Sequence, residues 1–533
     1  MASLGTYAKE KGVKYFLIAF VDLFGTMRAK IVPATAIDLI AKSGAGFAGF
    51  ATWLDLTPAH PDMLVMPDLE TAIQLPWKPE VAWVTGDLLM DGKPLMQNPR
   101  QVLKRVIGSA AKEGYEMRTG VECEYFLIQP DGSAISDGAD IQAKPCYDQQ
   151  ALMRRYEVIK EICDSMIALG WNPYQNDHED ANGQFEMNWE YDTALRTADK
   201  HAFFKFMVKS VAEKHGLRAT FMPKPFLNLT GNGCHAHVSL WNTAGKNVFD
   251  DTHGEMGLSK EAYHFIGGVL HSADALTAIT NPTVNSYKRI NAPRTMSGAT
   301  WSPNTATYGG NNRTHMVRIP EPGRFELRLA DGATNPYLLQ AALLTVGLDG
   351  LKAKRDPGRR IDLDMYAEGH TVTDAKRLPL NLLDALRALE QSSVLRKGLG
   401  EDVVASTSSC ARPNGTNTPV NSPTGSAALP LIASASCAVS AANVPRTDPR
   451  QRLGPAHVML LHIGTYAVCR TSTQATGNSR HRSCCAGCRP WPLAQADPLL
   501  APDTASFMAR FITLPLALRG RGVVRKLKVS GTL

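Results

Sequence analysis

The sequence predicts an α+β fold with an antiparallel sheet, and two observations lead to this prediction. Several short segments alternate charged side chains with apolar ones, which is the two-residue period of a strand with one buried face. Between them lie longer stretches in which apolar residues recur at helical spacing. A repeated strand–glycine–helix signature is missing from the sequence, which argues against a doubly wound parallel sheet.

The first part of the chain predicts a small β-rich domain over residues 10–98. An apolar run over residues 14–21 has the length of a strand, and Asp22 opens the turn after it. Gly44-Ala-Gly46-Phe-Ala-Gly49 fits the spacing of a dinucleotide-binding loop, but the preceding residues have helical spacing where that loop needs a strand. The sequence also contains no P-loop motif, so metals and arginines would have to hold any nucleotide phosphates.

Amphipathic helices dominate the second predicted domain, which spans residues 99–403. Glycines follow the first three of these helices and are expected to end them, because glycine readily adopts the left-handed backbone of a helix terminus. The predicted helices cover residues 100–113, 149–169, 199–215 and 338–351.

Three predicted strands of this domain place polar side chains on one face and apolar ones on the other. In Arg324-Phe-Glu-Leu-Arg328 the charged residues alternate with Phe325 and Leu327. Two upstream segments show the same alternation, and we expect all three strands to present their polar faces to one shared surface. The polar residues are Glu122 and Glu124, His235 and His237, and Arg324, Glu326 and Arg328.

Five carboxylates and one imidazole form a candidate site for divalent cations. Any one pair of them is more typical of a solvated strand face, and only the whole set favours metal binding. Hard oxygen ligands with one nitrogen suit Mg²⁺ or Mn²⁺, and arginines that follow in the sequence suit a transferred phosphate. The acids and the imidazole are Glu122, Glu124, Glu179, Glu186, His235 and Glu326. The arginines are Arg289, Arg313, Arg318 and Arg328.

Several motifs of the chain, in their order and spacing over residues 10–400, resemble the glutamine synthetase family. The resemblance implies a small β-grasp domain before a catalytic domain whose curved antiparallel sheet is backed by helices. It also implies a ring homo-oligomer with shared active sites. The motifs are Thr119-Gly-Val-Glu-Cys-Glu-Tyr-Phe126, Gly231-Asn-Gly-Cys-His-Ala-His-Val-Ser239, Asn281-Pro-Thr-Val-Asn-Ser-Tyr-Lys-Arg289, Val317-Arg-Ile-Pro320 and Arg324-Phe-Glu-Leu-Arg328.

The same resemblance implies two or more cations in each site, Mg²⁺ or Mn²⁺, with ATP as a co-substrate. One cation would lie beside glutamate and the other on the ATP phosphates. The ligands implied on the glutamate side are Glu124, Glu179 and Glu186. Those implied on the phosphate side are Glu122, His235 and Glu326.

Substrate-binding roles follow from the resemblance as well. Gly231 would lie against the amino acid, and Asp22 would be the acid that a neighbouring subunit contributes to the ammonium pocket. Residues implied near the nucleotide are His237, Ser239, Arg318 and Arg324. Arg289 and Arg328 are implied to bind the carboxylate of glutamate. Arg313 and Arg318 are implied to bind the phosphates and the phosphorylated intermediate.

The activity implied is ATP-dependent ligation of glutamate with ammonia through γ-glutamyl phosphate. One alternative is the synthesis of γ-glutamyl-methylamide from an alkylamine, because residues 176–186 and Ser297-Gly-Ala-Thr-Trp301 resemble that branch and residues 290–312 contain no acid. Another alternative is a catalytically silent oligomeric scaffold of the same family. Six intact candidate ligands favour an enzyme over a scaffold.

The last 130 residues differ in composition from the rest of the chain. Residues 404–533 carry 14 Lys and Arg against 3 Asp and Glu, a surplus of +11 that exceeds the total of +7 and leaves −4 for residues 1–403. The net positive charge therefore does not predict a nucleic-acid partner. We interpret residues 404–533 as an aberrant tail translated after a frameshift near residues 403–406, with a natural disordered extension as the alternative.

The sequence also carries expectations about location. The first fourteen residues lack the apolar segment of a signal peptide, and no run of eighteen apolar residues predicts a membrane span. Four scattered cysteines in residues 1–403 are typical of reduced thiols. We therefore predict a cytoplasmic protein without a membrane partner.

Overall fold

Short strands and helices follow one another from the first residues of the chain, and the computed structural model describes residues 3–295 and 302–412. A sheet of seven strands lies within residues 15–94, in the order β2-β1-β6-β4-β3, with β5 and β7 also paired to β6. All its pairs are antiparallel except β1 with β6. Its strands are β1 Tyr15–Val21, β2 Met27–Pro33, β3 Ala45–Phe47, β4 Met63–Pro67, β5 Ile73–Gln74, β6 Val81–Met90 and β7 Lys93–Pro94.

Two further sheets belong to the second part of the chain. One has four strands in the order β10-β11-β9-β13, and the other has six in the order β12-β8-β14-β17-β16-β15. Antiparallel pairs again dominate, which confirms the predicted α+β class. The strands are β8 Tyr115–Cys123, β9 Tyr125–Ile128, β10 Pro173–His178, β11 Gln184–Trp189, β12 Asp192–Thr193, β13 Arg218–Thr220, β14 Cys234–Asn242, β15 Tyr308–Gly309, β16 Val317–Glu321 and β17 Arg324–Leu327.

Helices pack against these sheets. The largest buried helix is α10, whose residues from Pro336 to Gly347 are all buried, as expected of a helix that is apolar on every side. The helices are α1 Leu4–Lys11, α2 Ile37–Ser43, α3 Pro99–Lys112, α4 Gln149–Arg154, α5 Tyr156–Ala168, α6 Ala194–Lys214, α7 Lys260–His271, α8 Ala273–Thr280, α9 Val284–Ile290, α10 Pro336–Ala353, α11 Leu382–Gln391, α12 Ser393–Leu399 and α13 Glu401–Ala411. Among the described residues, no helix combines the length and the apolar character needed to cross a membrane.

Glu124 is the point at which the chain passes from one sheet of the second part to the other. β8 ends at Cys123 in the six-stranded sheet, and β9 begins at Tyr125 in the four-stranded sheet. The backbone N–H of Glu124 donates to the carbonyl of Gly233 at 3.2 Å, just before β14 begins. The two sheets therefore meet beside a carboxylate that the sequence predicts as a metal ligand.

Two predicted helices differ from the observed ones at their ends or in their continuity. The helix predicted over residues 149–169 is divided into α4 and α5 at Arg155, whose φ of −113° is not helical. The helix predicted from residue 199 starts at Ala194, because the residues before Asp199 pack inward as well.

The last described helix, α13, continues past residue 404 into the segment that we interpret from its composition as an aberrant tail. Val403, Val404 and Ala411 are buried, so a short apolar face anchors the helix. The hydroxyls of Thr407 and Ser408 are buried too, without a hydrogen-bond partner among the described residues. Residues 413–533 lie outside the described residues, so the frameshift remains a prediction.

Arg100 links the seven-stranded sheet to the second part of the chain. Its side chain is only 4% exposed and reaches Asp68 at 2.8 Å, Asp87 in β6 at 2.9 Å and Asp199 in α6 at 3.1 Å. The hydroxyl of Tyr337, in α10, also donates to Asp199 at 2.7 Å. A guanidinium with several donors is suited to such a junction, because one side chain can satisfy three carboxylates.

Replacing Arg100 with alanine should lower the free energy of unfolding by about 2–4 kcal/mol, because it removes a buried guanidinium and leaves three partly buried carboxylates without it. Arg359 is a matched control, since it pairs with Asp374 but is 61% exposed. Its replacement by alanine should leave the free energy of unfolding almost unchanged, because water screens an exposed ion pair. Urea denaturation of both variants measures the difference, and equal losses would show that the Arg100 junction does not stabilise the fold.

Candidate active site

Strand register brings the predicted polar residues together. β14 pairs with β8 so that His235 lies opposite Glu122, and with β17 so that His237 lies opposite Glu326. The alternate residues are buried in the core, as the strand alternation predicted. These buried residues are Val121, Cys123, Tyr125, Cys234, Ala236, Val238, Phe325 and Leu327.

His235 occupies the centre of the site. Its Nδ1 lies 3.5 Å from Glu122 Oε2 and 3.6 Å from Glu326 Oε1, and its Nε2 lies 3.9 Å from Glu124 Oε1. The Nε2 atom is buried and has no hydrogen-bond partner among the described residues. The imidazole of His235 therefore lies between Glu124, which the resemblance implies for the glutamate-side cation, and Glu122 and Glu326, which it implies for the phosphate-side cation.

In this site, three groups of side chains that contain carboxylates place possible ligand atoms within 4.8 Å of one another. The first is the predicted glutamate-side set, so strand register and the β10–β11 turn bring those three acids together. Glu122 belongs to both other groups, and His237, which the sequence assigned to the nucleotide, belongs to one of them. The groups are Glu124 with Glu179 and Glu186, Glu122 with Glu186 and His235, and Glu122 with His237 and Glu326.

Mutual repulsion characterises the glutamate-side end of the site. Burial, followed by the charges of neighbouring carboxylates, raises the pKa of Glu179 and of Glu186 well above the usual value. Burial and the charges of Glu122 and Glu124 raise the pKa of Asp177 to about 6. The Oδ1 atom of Asp177 is also buried without a hydrogen-bond partner among the described residues. Such a cluster is suited to a divalent cation, which would neutralise it.

Cationic side chains dominate the opposite end. Arg328 Nη1 lies 2.6 Å from Glu326 Oε1, and Arg318 Nη1 lies 2.7 Å from Glu326 Oε2. Burial opposes ionisation of Glu326, but Arg328 and then His235 lower its pKa to about 2. Glu326 therefore remains ionised under conditions in which Glu179 and Glu186 hold protons.

His237 connects this end to the neighbouring strand. Arg324 donates to His237 Nδ1, and His237 Nε2 lies 2.8 Å from Glu122 Oε1. Because a guanidinium can only donate, Nδ1 accepts and Nε2 carries the proton that is donated to Glu122. Burial would raise the pKa of Glu122, but His237 and His235 lower it well below the usual value.

Two adjoining cavities open onto these residues. The acidic cavity, of about 300 Å³, is lined by five acids together with Arg313, Arg318, Arg324 and Arg328. The second cavity, of about 510 Å³, contains Ser239 and Trp241, and the Arg118 guanidinium lies 4.2 Å from the Trp241 ring centre. Residues shared by the two cavities are Glu122, Tyr174, Asn188, His237 and Arg324.

Arg289 and the glycines before β14 lie at the base of the acidic group. Arg289 is 2% exposed, and its Nη1 donates to the Leu329 carbonyl at 3.1 Å. A Cβ added to Gly231 would lie 2.2 Å from the carbonyl oxygen of Pro223, and 3.2 Å from Arg289 Cγ. A Cβ added to Gly233 would lie 2.7 Å from His235 Nε2, 3.0 Å from Glu124 Oε1 and 3.1 Å from Arg289 Nη2. Glycine at both positions keeps this space open.

Asp22 lies apart from both cavities of its own chain. Its carboxylate accepts from the backbone N–H groups of Phe24 and Thr26, and from Arg28 Nε at 3.0 Å. Burial raises its pKa to about 6, although Arg28 opposes this. Within one chain Asp22 stabilises the turn after β1, and its predicted role in a neighbouring site stays a prediction.

Sequence reasoning missed three residues of the site. Asp177 was only part of a polar segment, and Gly233 was only part of a motif. Gln184 gave no local signal, because its partners are distant in sequence: its Nε2 lies 2.9 Å from Glu124 Oε2, 3.1 Å from the Gly231 carbonyl and 3.0 Å from Asn232 Oδ1. Gln184 thereby holds Glu124 against the segment that precedes β14.

Comparison with known proteins agrees with this geometry. Residues 96–417 match the family description "Glutamine synthetase, catalytic domain". A glutamine synthetase of Rhizobium meliloti is 67% identical over 403 residues, which are 75% of this chain and 93% of that protein. A glutamate–methylamine ligase of Methyloversatilis universalis is 41% identical over 403 residues, which are 74% of this chain and 91% of that protein.

A solved structure titled "GmaS/ADP complex-Conformation 1" shares the fold. It is 64% identical to this chain with a TM-score of 0.75, and the match covers 77% of this chain and 94% of that one. The sequence match, the structural match and the arrangement of acids and arginines all confirm the resemblance. The chain therefore belongs to the glutamine synthetase family.

Proposed function

We propose that the protein is an ATP-dependent carbon–nitrogen ligase that joins glutamate to ammonia and releases glutamine, ADP and phosphate. The observation that carries this proposal is the acidic cavity, which is lined by five carboxylates and four arginines. Carboxylates that hold cations and guanidinium groups that hold phosphate are the parts that phosphoryl transfer requires. The relative from Rhizobium meliloti, which carries the name glutamine synthetase, supports ammonia as the acceptor.

The donor set fits two divalent cations, Mg²⁺ or Mn²⁺. Support comes from the Nε2 of His235, which has no hydrogen-bond partner within the part of the chain that the structure describes, and from the raised pKa of Glu179 and Glu186. Both are features of a site that gains a positive charge. When bound, the cations supply charge neutralisation for the phosphates. Ligands proposed for one are Glu124, Glu179 and Glu186, and ligands proposed for the other are Glu122, His235 and Glu326.

The cavity lined by Trp241 and Ser239 is proposed to hold the nucleotide. Its volume of about 510 Å³ and its aromatic lining suit a purine nucleoside, and it joins the acidic cavity at His237 and Arg324. A nucleotide in this cavity would direct its phosphates towards the arginines. The solved structure of a relative with ADP, 64% identical, supports a nucleotide site in this fold.

The reaction follows from these neighbours. The γ-carboxylate of glutamate, oriented by Arg289 and Arg328, attacks the γ-phosphorus of ATP and ADP leaves. Arg313 and Arg318 stabilise the charge on the transferred group, because guanidinium donors match phosphate oxygens. A neutral amine then attacks the acyl phosphate and phosphate leaves, while a carboxylate takes the proton from the incoming ammonium.

A second candidate acceptor is methylamine. It is favoured by the relative named glutamate–methylamine ligase, which is 41% identical to this chain. The segment over residues 290–312 also contains no acid, so it offers no carboxylate to an incoming ammonium. Residues 296–301 of that segment lie outside the described residues.

Comparison of ammonium with methylamine decides between these acceptors. For ammonia ligation, kcat/KM for ammonium should equal or exceed that for methylamine in a glutamate-dependent phosphate-release assay. Mass spectrometry of the product separates glutamine from its N-methyl derivative. A specificity constant at least tenfold higher for methylamine would replace the first candidate with the second, and no phosphate release with either amine would favour a silent scaffold.

Asp22 is proposed to take the ammonium proton in the site of a neighbouring subunit of a ring homo-oligomer. We expect Asp22→Asn to lower kcat/KM for the amine by about 100-fold or more, which is the usual range for a lost general base. Arg28→Gln is the control, because it breaks the ion pair of the turn and leaves the acid in place. Equal, small losses in both variants would restrict Asp22 to its role in the turn.

Cation binding should weaken as the pH falls through about 6. The carboxyl group of Asp177 has a pKa of about 6, and those of Glu179 and Glu186 are raised as well, so protons compete with the cation. Because the native state holds these protons more tightly than the unfolded chain does, the metal-free protein should lose stability as the pH rises from about 4, the usual pKa of an unfolded carboxyl group, to 6 and above.

Thermal unfolding between pH 5 and 8, with and without Mn²⁺, tests this expectation. The increase in Tm on adding Mn²⁺ should be larger at pH 8 than at pH 5. An increase that is the same at both values would contradict the assignment of these carboxyls to the cation, and the absence of any increase would contradict the cation site itself.

A further inference from the structure

Asp140 lies outside the acidic cavity and is one of the most extensively hydrogen-bonded buried acids among the described residues. It belongs to the segment between β9 and α4, and its side chain is 1% exposed. Its carboxylate lies 2.7 Å from His178 Nε2 and accepts from Asn182 Nδ2 at 2.8 Å and from the backbone N–H of Gly183 at 2.6 Å. A buried carboxylate with three such partners fixes their relative positions.

These three partners enclose a candidate metal ligand. His178 ends β10, Asn182 and Gly183 precede β11, and Glu179 lies in the turn between them. Asp140 therefore fastens both ends of the five-residue link that carries Glu179. The other ring nitrogen of His178, Nδ1, lies 2.8 Å from the Pro145 carbonyl oxygen, which holds the ring from its far side.

The same turn continues to a second candidate ligand. The backbone N–H of Glu179 donates to the carbonyl of Gln184 at 3.0 Å. The side chain of Gln184 reaches Glu124 Oε2 at 2.9 Å. A displacement of the turn would thus move Glu179 directly and Glu124 through Gln184.

We propose that Asp140 is a positioning residue of the cation site. It holds Glu179 in place directly and Glu124 through Gln184, so that both carboxylates can bind the same cation. The proposal rests on the proposed function, because it assumes that these acids bind a divalent cation. Asp140 itself touches neither the cavity nor a candidate ligand. Partners of metal ligands commonly change metal affinity by 10- to 100-fold when they are replaced.

The test replaces Asp140 with asparagine in the full chain and measures Mn²⁺ affinity from the rise in Tm across a titration. Asparagine keeps the size of the side chain but has only one oxygen acceptor for three partners. We expect the apparent Kd for Mn²⁺ to increase at least tenfold, and excess Mn²⁺ to restore part of kcat. A purely structural role would lower Tm without Mn²⁺ and leave the Kd unchanged, which would overturn the proposal.

Asp137→Asn is the matched control. Asp137 lies in the same segment, has a side chain that is 9% exposed, and pairs with Arg154 at 2.5 Å instead of with the turn. Its replacement should lower stability and leave the Kd for Mn²⁺ within about twofold. An increase equal to that of Asp140→Asn would show that any damage to this segment weakens the site, and would overturn a specific role for Asp140.

A milder variant covers the case in which Asp140→Asn does not fold. Asn182→Ala removes one of the three hydrogen bonds to Asp140 and should raise the Kd for Mn²⁺ about fivefold, in line with one ordinary hydrogen bond. An unchanged Kd in this variant would count against the proposal.

The wild-type result separates the two proposals. If Mn²⁺ does not stabilise the wild-type protein, both the cation site and the role of Asp140 are wrong. If Mn²⁺ stabilises the wild-type protein and Asp140→Asn with the same Kd, only the role of Asp140 is wrong.

Discussion

Repulsion among buried carboxylates is the constraint on which the rest of this site depends. Glu124, Glu179 and Glu186 place oxygens within 4.8 Å of one another, and Asp177 adds a fourth acid to the same cavity. Burial and the charges of neighbouring carboxylates raise the pKa of Glu179 and Glu186. Protons retained on these groups reduce the repulsion when no cation is bound. The surrounding fold has to hold the acids together against this force.

Two separate parts of the structure provide that restraint. The register of β8, β14 and β17 fixes Glu122, His235 and Glu326 relative to one another. Gln184 and the backbone of Gly233 fix Glu124. At the far end of the site, Glu326 is ionised and not protonated, because Arg328 and His235 lower its pKa. The site is thus polarised, with proton-holding acids at one end and an ion-paired acid at the other.

Sequence alternation predicted the local part of this arrangement well. The two-residue period of Glu122 and Glu124, of His235 and His237, and of Arg324 to Arg328 placed each on a polar strand face, because period alone determines that face. Features that arise from distant contacts could not be predicted in this way. Gln184, at the start of β11, contacts Glu124, which immediately precedes the neighbouring strand β9. Asp140 contacts a turn about forty residues away in the sequence. The break at Arg155 interrupts a stretch whose helical pattern is continuous. The composition after residue 403 also did not predict α13, which buried Val403 and Val404 anchor to the core.

We infer that the acidic cavity holds divalent cations between these carboxylates. Anomalous diffraction from crystals grown with Mn²⁺ tests it most directly, because the signal identifies the metal and its ligands together. One peak is expected within about 2.5 Å of carboxylate oxygens of Glu124, Glu179 and Glu186, and a second peak at Glu122, His235 and Glu326. Crystals that contain Mn²⁺ but show no anomalous peak in the cavity would contradict it.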